Sequence, residues 1–168
     1  ENNQSSSGAA IQIFDGELSL SGSSFEGNSA SQNGGAIAVT SSVVQIDSTE
    51  FWNNSADQNG GAISITAGEL EIDESYLSGN QADEGGALFI DDASVLCSGT
   101  MSSDSGFEAN TSNSAGVFLQ NNAEFSAQIC DFGTGLAEDN SSVDLSSSEG
   151  FFYFAPDDAN FSCTGGQC

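Results

Sequence analysis

Carboxylates are the only abundant groups in this chain that could move a proton or hold a metal, since 25 Asp and Glu residues stand beside no Lys, Arg or His. Glycoside hydrolysis needs two opposed carboxylates, one of them with a raised pKa. Asp47 and Asp73, about 26 residues apart, are the pair that a repeating chain would offer. The same spacing sets Asp57 over Asp83, while Glu69, Glu71, Asp73 and Glu74 crowd one short stretch. Two unit charges at a strand spacing of about 4.8 Å repel by roughly 1 kcal/mol in water and several times more at lower dielectric. A divalent cation would relieve that repulsion, and calcium takes about six to eight oxygens from carboxylates, carbonyls and water. No cofactor is certain, and calcium is left open at Asp47, Asp73, Asp57 and Asp83, with Asp91-Asp92 and Asp157-Asp158 as further candidates. The alternative is a solvated acidic face, because no loop matches the helix-loop-helix or nonapeptide calcium motifs.

The missing cations exclude more than the carboxylates allow. A formal charge of −25 repels DNA, RNA and anionic membranes. Without His, Lys or Arg there is no imidazole base for a Ser or Cys nucleophile, no lysine for a phosphate loop and no arginine clamp. An acidic polysaccharide would meet an acidic wall. The chain is therefore expected to be non-catalytic, with a carboxylate-only polysaccharide-active enzyme kept as an alternative.

The elements that would position these groups are set by a repeat. Phe25-x-x-Asn28 precedes Gly34-Gly35-Ala36-Ile37, Phe51-x-x-Asn54 precedes Gly60-Gly61-Ala62-Ile63, and Leu77-x-x-Asn80 precedes Gly85-Gly86-Ala87-Leu88. A weaker copy joins Phe107-x-x-Asn110 to Ala115-Gly116-Val117. Counted from the aliphatic residue, the origins are Ile11, Ile37, Ile63, Leu88, Val117 and Val143, about 26 residues apart except for a step of 29 before Val117. The polar Ser98 to Gly106 stretch reads as the extra loop in that step. Such self-similarity marks a stacked architecture in which neighbours bury what one unit cannot.

Within a unit the apolar residues alternate with period two, as in Ile37 and Val39, Val44 and Ile46, then Phe51. The expected fold is all-β: a right-handed parallel β-helix, or β-solenoid, of about six coils and roughly 29 Å, with three short strands per coil. Residues 1–149 form the array and residues 150–168 a C-terminal cap, in which Phe151, Phe152, Phe154 and Phe161 cover the core and Pro156 turns the chain. Paired glycines supply turns that a side chain would resist. Asn28, Asn54, Asn80 and Asn110 would share one turn position and bond the turns above and below. Phe25, Phe51, Leu77, Phe107 and Phe132 would stack in the core.

These alternating motifs, from about Gly8 to Val143, resemble the repeats of the chlamydial polymorphic membrane proteins and related bacterial surface proteins. The resemblance implies a right-handed parallel β-helix and a cell-surface passenger segment, often an adhesin that contacts host or neighbouring cells. An extracellular structural or adhesive module, acting as a surface-exposed scaffold, is the leading expectation. Its partners would be other copies of the protein or a cell-surface protein or glycan. A filament subunit, a homo-polymer joined through its coil ends, is a second alternative.

Cysteines bear on location. Counted from the repeat origin, Cys97 falls at the core position of Leu20, Ile46 and Ile72, and Cys130 faces inward on the next coil. A Cys97–Cys130 bridge then fits, with Cys163–Cys168 closing the tail, although the sequence does not choose among the three connectivities that four cysteines allow. Buried free thiols are the alternative. An even count in an acidic Ser/Asn/Gly-rich chain favours an oxidising, extracellular or cell-surface location. No run reads as a signal peptide or membrane span, so a mature or excised segment is expected. Asn-x-Ser/Thr sequons at Asn3, Asn53, Asn110, Asn140 and Asn160 would matter only in a glycosylating source.

Overall fold

Each alternating apolar run folds as a strand whose neighbours are the same run one repeat earlier and one repeat later. The computed structural model describes residues 1–99, 105–113, 115–128, 130–131, 141–142, 152–154 and 160–163. Phe132, Val143, Phe151, Pro156, Asp157, Asp158 and Cys168 lie outside the described residues. Between 152 and 163, Phe152–Phe154 and Asn160–Cys163 are described as backbone strands, without side chains.

Among the described residues, every strand pairing is parallel and three sheets run along the solenoid. Sheet A stacks Gln4–Ser7, Ser29–Asn33, Ser55–Ala56, Gln81–Ala82, Thr111–Ser112 and Ser141–Ser142. Sheet B is built on three 11-residue strands, Ile37–Asp47, Ile63–Asp73 and Leu88–Ser98. Sheet C stacks Ser24–Glu26, Glu50–Trp52, Tyr76–Ser78, Ser105–Glu108 and Cys130–Asp131.

Three strands per coil are present, but they differ from the three short runs read in the sequence. The first two runs fuse into one long strand of sheet B. Its side-chain parity flips at a left-handed residue: Ile37 and Val39 point inward before Ser41, and Val44 and Ile46 after it. Asp15, Ala67, Asp92 and Asn121 carry the same positive φ one coil apart, so this bend is itself a column. The third sheet, sheet A, shows no apolar alternation because its inward residue is only Ala30, Ala56, Ala82 or Ser112. The solenoid makes about four turns, against the six coils counted. In the first coil Ile11, Ile13, Leu18, Leu20 and Phe25 are only partly buried, and the residue in register after Val117 is Phe152 rather than the expected origin Val143, which lies outside the described residues.

The core is a set of columns in which like packs on like. Ile37, Ile63, Leu88 and Val117 stack in register, as do Val39, Ile65, Ile90 and Leu119. Each fully buried aliphatic side chain contributes about 1.5–3 kcal/mol. Size changes offset one another across columns: Phe125 follows Val95 where Ala127 follows Cys97, so a larger ring sits beside a smaller neighbour. Ala38, Ser64, Phe89 and Phe118 are also buried, which means that this first arm of sheet B is covered on both faces.

The glycine pair does two different jobs. Gly34, Gly60 and Gly85 are left-handed, with φ of 63°, 66° and 64°. Gly35 and Gly61 are not; a Cβ on Gly35 would lie 2.0 Å from the carbonyl oxygen of Gly61, and one on Gly61 2.0 Å from that of Gly86. The first glycine turns the chain, and the second lets successive coils touch backbone to backbone.

Candidate functional site

Asparagine side chains build a continuous polar ladder among the described residues. Asn28, Asn54, Asn80 and Asn110 are fully buried at the corner between sheets C and A. The Oδ1 of Asn54 accepts both the backbone N–H and the Nδ2 of Asn28, at 3.0 and 2.9 Å. Asn80 does the same for Asn54, at 3.0 Å each, and Asn110 for Asn80, at 3.0 and 2.8 Å. The second Nδ2 hydrogen closes the turn of the preceding coil: Asn54 donates to the Phe25 carbonyl, Asn80 to that of Phe51 and Asn110 to that of Leu77. Asn3 extends the column upward by donating from N and Nδ2 to Asn28 Oδ1. In the sequence Asn3 stands out only as a sequon, and the signal of its place in the column is its spacing of 25 residues from Asn28. The amides are spent on one another, so they hold structure and offer nothing to a ligand.

Beside them Phe25, Phe51, Leu77 and Phe107 stand in register, with the Phe25 and Phe51 rings stacked at 4.9 Å and 7°. A second polar column went unread in the sequence. The hydroxyls of Ser23, Thr49 and Ser75 each bond the carbonyl two residues earlier, and Thr49 N donates to Ser75 Oγ at 2.9 Å. Its signal is the serine or threonine two residues before each Phe or Leu of the motif. Cys130 enters this column below Ser105 and is bonded to Cys97, with Cα atoms 6.3 Å apart and both residues buried. The bridge ties sheet B to sheet C across the enlarged step between Leu88 and Val117. Cys163 is described as backbone only, so its pairing lies outside the described residues together with Cys168.

The carboxylates lie on the outside, and neutral donors interleave with them. Asp47 and Asp73 are in register on one outer face of sheet B, side by side rather than opposed across a cleft. Ser21 Oγ donates to Asp47 at 3.0 Å and Ser98 Oγ to Asp73 at 3.1 Å. Asp57 and Asp83 border a shallow polar groove along sheet A with Ser55, Gln81, Thr111 and Asn113. There Asn113 Nδ2 donates to Asp83, while Asn121 and Asn122 donate to Asp91 and Asp92. Among the described residues no three Asp, Glu, His or Cys side chains converge as a metal site. Glu84 is the acid whose pKa is raised, first by burial and then by the neighbouring Asp83 charge. With its amide turned to donate, Asn59 reaches Glu84 Oε2 at 3.2 Å.

Residues 22–40 and 48–66 each match the Chlamydia polymorphic membrane protein repeat. These two coils carry that repeat. Both matches start at a left-handed corner, at Gly22 and at Ser48, and run through sheet C, the ladder asparagine, sheet A and the glycine pair into sheet B. The repeat thus coincides with the parts of each coil that make corners and coil contacts. The second arm of sheet B, with Gln45, Asp47, Glu71 and Asp73, falls outside it. No curated protein and no solved structure matches the chain.

Proposed function

We propose that the chain is an extracellular, surface-exposed β-solenoid module, non-catalytic, that acts as a scaffold for adhesion to a cell-surface protein or glycan. The observation that carries this reading is the coincidence of the polymorphic membrane protein repeat with a saturated interior. Asparagine, phenylalanine and glycine are consumed in stacking, and what is left to meet a partner is the outer surface. The match to a repeat of polymorphic membrane proteins supports a cell-surface location. Antibody against the chain should stain intact source cells, and beads coated with it should adhere to cells above an inert-protein control. Staining that needs permeabilisation, or beads no stickier than the control, would defeat the proposal.

A second reading, assembly through coil ends, is favoured by the first coil. Ile11, Ile13, Leu18, Leu20 and Phe25 keep partial exposure where their equivalents in the next coil are buried, Phe51 completely. A further coil would bury them, whether it comes from a second copy stacked end to end or from chain that precedes Glu1. Light scattering that gives one concentration-independent monomer mass would eliminate the filament.

A further inference from the structure

We infer that the outer face of sheet C around Trp52 and Tyr76 is a binding site for a lysine- or arginine-bearing peptide segment. The inference rests on the surface reading above and gives it a face and a partner chemistry. Trp52 is the single tryptophan of the chain. It stacks on Tyr76 of the next coil with ring centroids 6.0 Å apart and planes 29° apart, and both side chains are half-buried.

The geometry comes from register. On this face Ser24, Glu50, Tyr76 and Gly106 form one column, and Glu26, Trp52 and Ser78 the next. The columns stand about 6.6 Å apart along the strand and their members about 4.8 Å apart between coils. Each ring therefore has an exposed carboxylate one coil away, Glu26 beside Trp52 and Glu50 beside Tyr76. The rings are held in place. Trp52 Nε1 donates to Glu50 Oε2 at 3.1 Å, and a Cβ on Gly106 would come within 2.2 Å of the Tyr76 ring, so Tyr76 lies over a position that only glycine leaves open.

The Trp52 face that Tyr76 does not cover, bordered by Glu26 in the same column, attracts a cation by quadrupole and by charge together. The long-range field acts in the same direction, because the chain carries a formal charge of −25 and no Lys, Arg or His. A planar guanidinium or an ammonium laid on that face brings its charge to Glu26, with Glu50 in the neighbouring column, while its stem lies along the exposed ring edges. The indole N–H is already committed to Glu50, which leaves the ring face, rather than a hydrogen-bond donor, as what Trp52 presents.

The test uses an end-blocked, fluorescein-labelled hexa-arginine peptide, read by anisotropy against the whole chain at near-physiological salt. Trp52→Ala and Tyr76→Ala leave the net charge unchanged, and each should weaken binding about 3- to 30-fold, while Trp52→Phe retains most of it. Unlabelled peptide should also shift Trp52 emission. Far-UV circular dichroism establishes that the variants are folded. Unchanged affinity in both alanine variants would reduce the binding to diffuse electrostatics and overturn the inference. So would a neutral oligosaccharide that shifts Trp52 emission and loses that effect on Tyr76→Ala while the peptide is unaffected. Peptide binding lost in the variants, with wild-type beads that do not adhere to cells, keeps this site and removes the adhesive reading. Adhesion intact, with peptide affinity unchanged in the variants, does the reverse.

Discussion

Replacing Asn54 with alanine in the middle of the amide column removes one acceptor and one donor at once. The N–H and the Nδ2 of Asn28 lose Asn54 Oδ1, and the Phe25 carbonyl loses the Asn54 Nδ2 hydrogen. Asn80 Oδ1 keeps one partner, the backbone N–H of residue 54. Asn54 is fully buried, so water does not readily replace these bonds. Each orphaned group costs about 1–3 kcal/mol, which sums to roughly 3–9 kcal/mol for three. Asn3, at the exposed end of the same column, gives the comparison: Asn3→Ala removes the Nδ2 bond to Asn28 but keeps the backbone one, and should cost about 1 kcal/mol or less. With a urea slope of about 2 kcal/mol/M, the midpoint should fall by about 1.5 M or more for Asn54→Ala and by at most about 0.5 M for Asn3→Ala. Urea titration followed by far-UV circular dichroism and by Trp52 emission measures both. Two midpoints within about 0.3 M of each other would refute the claim that buried saturation, rather than position in the repeat, makes these asparagines necessary.

The remaining predictions concern the corners, the bridge and one acid. Gly61→Ala forces a Cβ to 2.0 Å from the Gly86 carbonyl and should destabilise by more than about 3 kcal/mol, whereas Gly22→Ala meets nothing within 4 Å and bears only left-handed strain of about 1 kcal/mol; thermal melts of the two should separate clearly. Opening the Cys97–Cys130 bridge with a double alanine variant should cost about 3–4 kcal/mol from a loop of 33 residues, and mass-mapped alkylation after reductant should reach these two sulfurs only once urea opens the core. Glu84 has a folded pKa raised by burial and by Asp83, so the folded state holds its proton to higher pH than the unfolded state does. Stability should then fall as pH rises between the unfolded and folded values, and Glu84→Gln should lose that slope in urea midpoints taken across the carboxylate range; parallel wild-type and variant profiles would count against it.

Sequence alone determined the parallel solenoid, because a period near 26 residues and inward alternation leave each unit with an apolar face that only its neighbours can cover. It also placed Asn28, Asn54, Asn80 and Asn110, together with the phenylalanines, at equivalent positions, since stacking in register makes equal spacing mean equal place. Tertiary structure decided what spacing cannot express. Sheet A was invisible because Ala30, Ala56 and Ala82 are too small to mark a strand, and the fused strands of sheet B appeared only once Ser41, Ala67 and Asp92 were seen to flip side-chain parity through a left-handed φ. The second glycine of each pair depends on the distance between coils, which no single unit contains. Asp47 and Asp73 could be read as acids opposed across a groove until their shared face was visible. The Trp52 and Tyr76 platform lies on a diagonal between coils, and a diagonal neighbour is a property of the stack rather than of the chain.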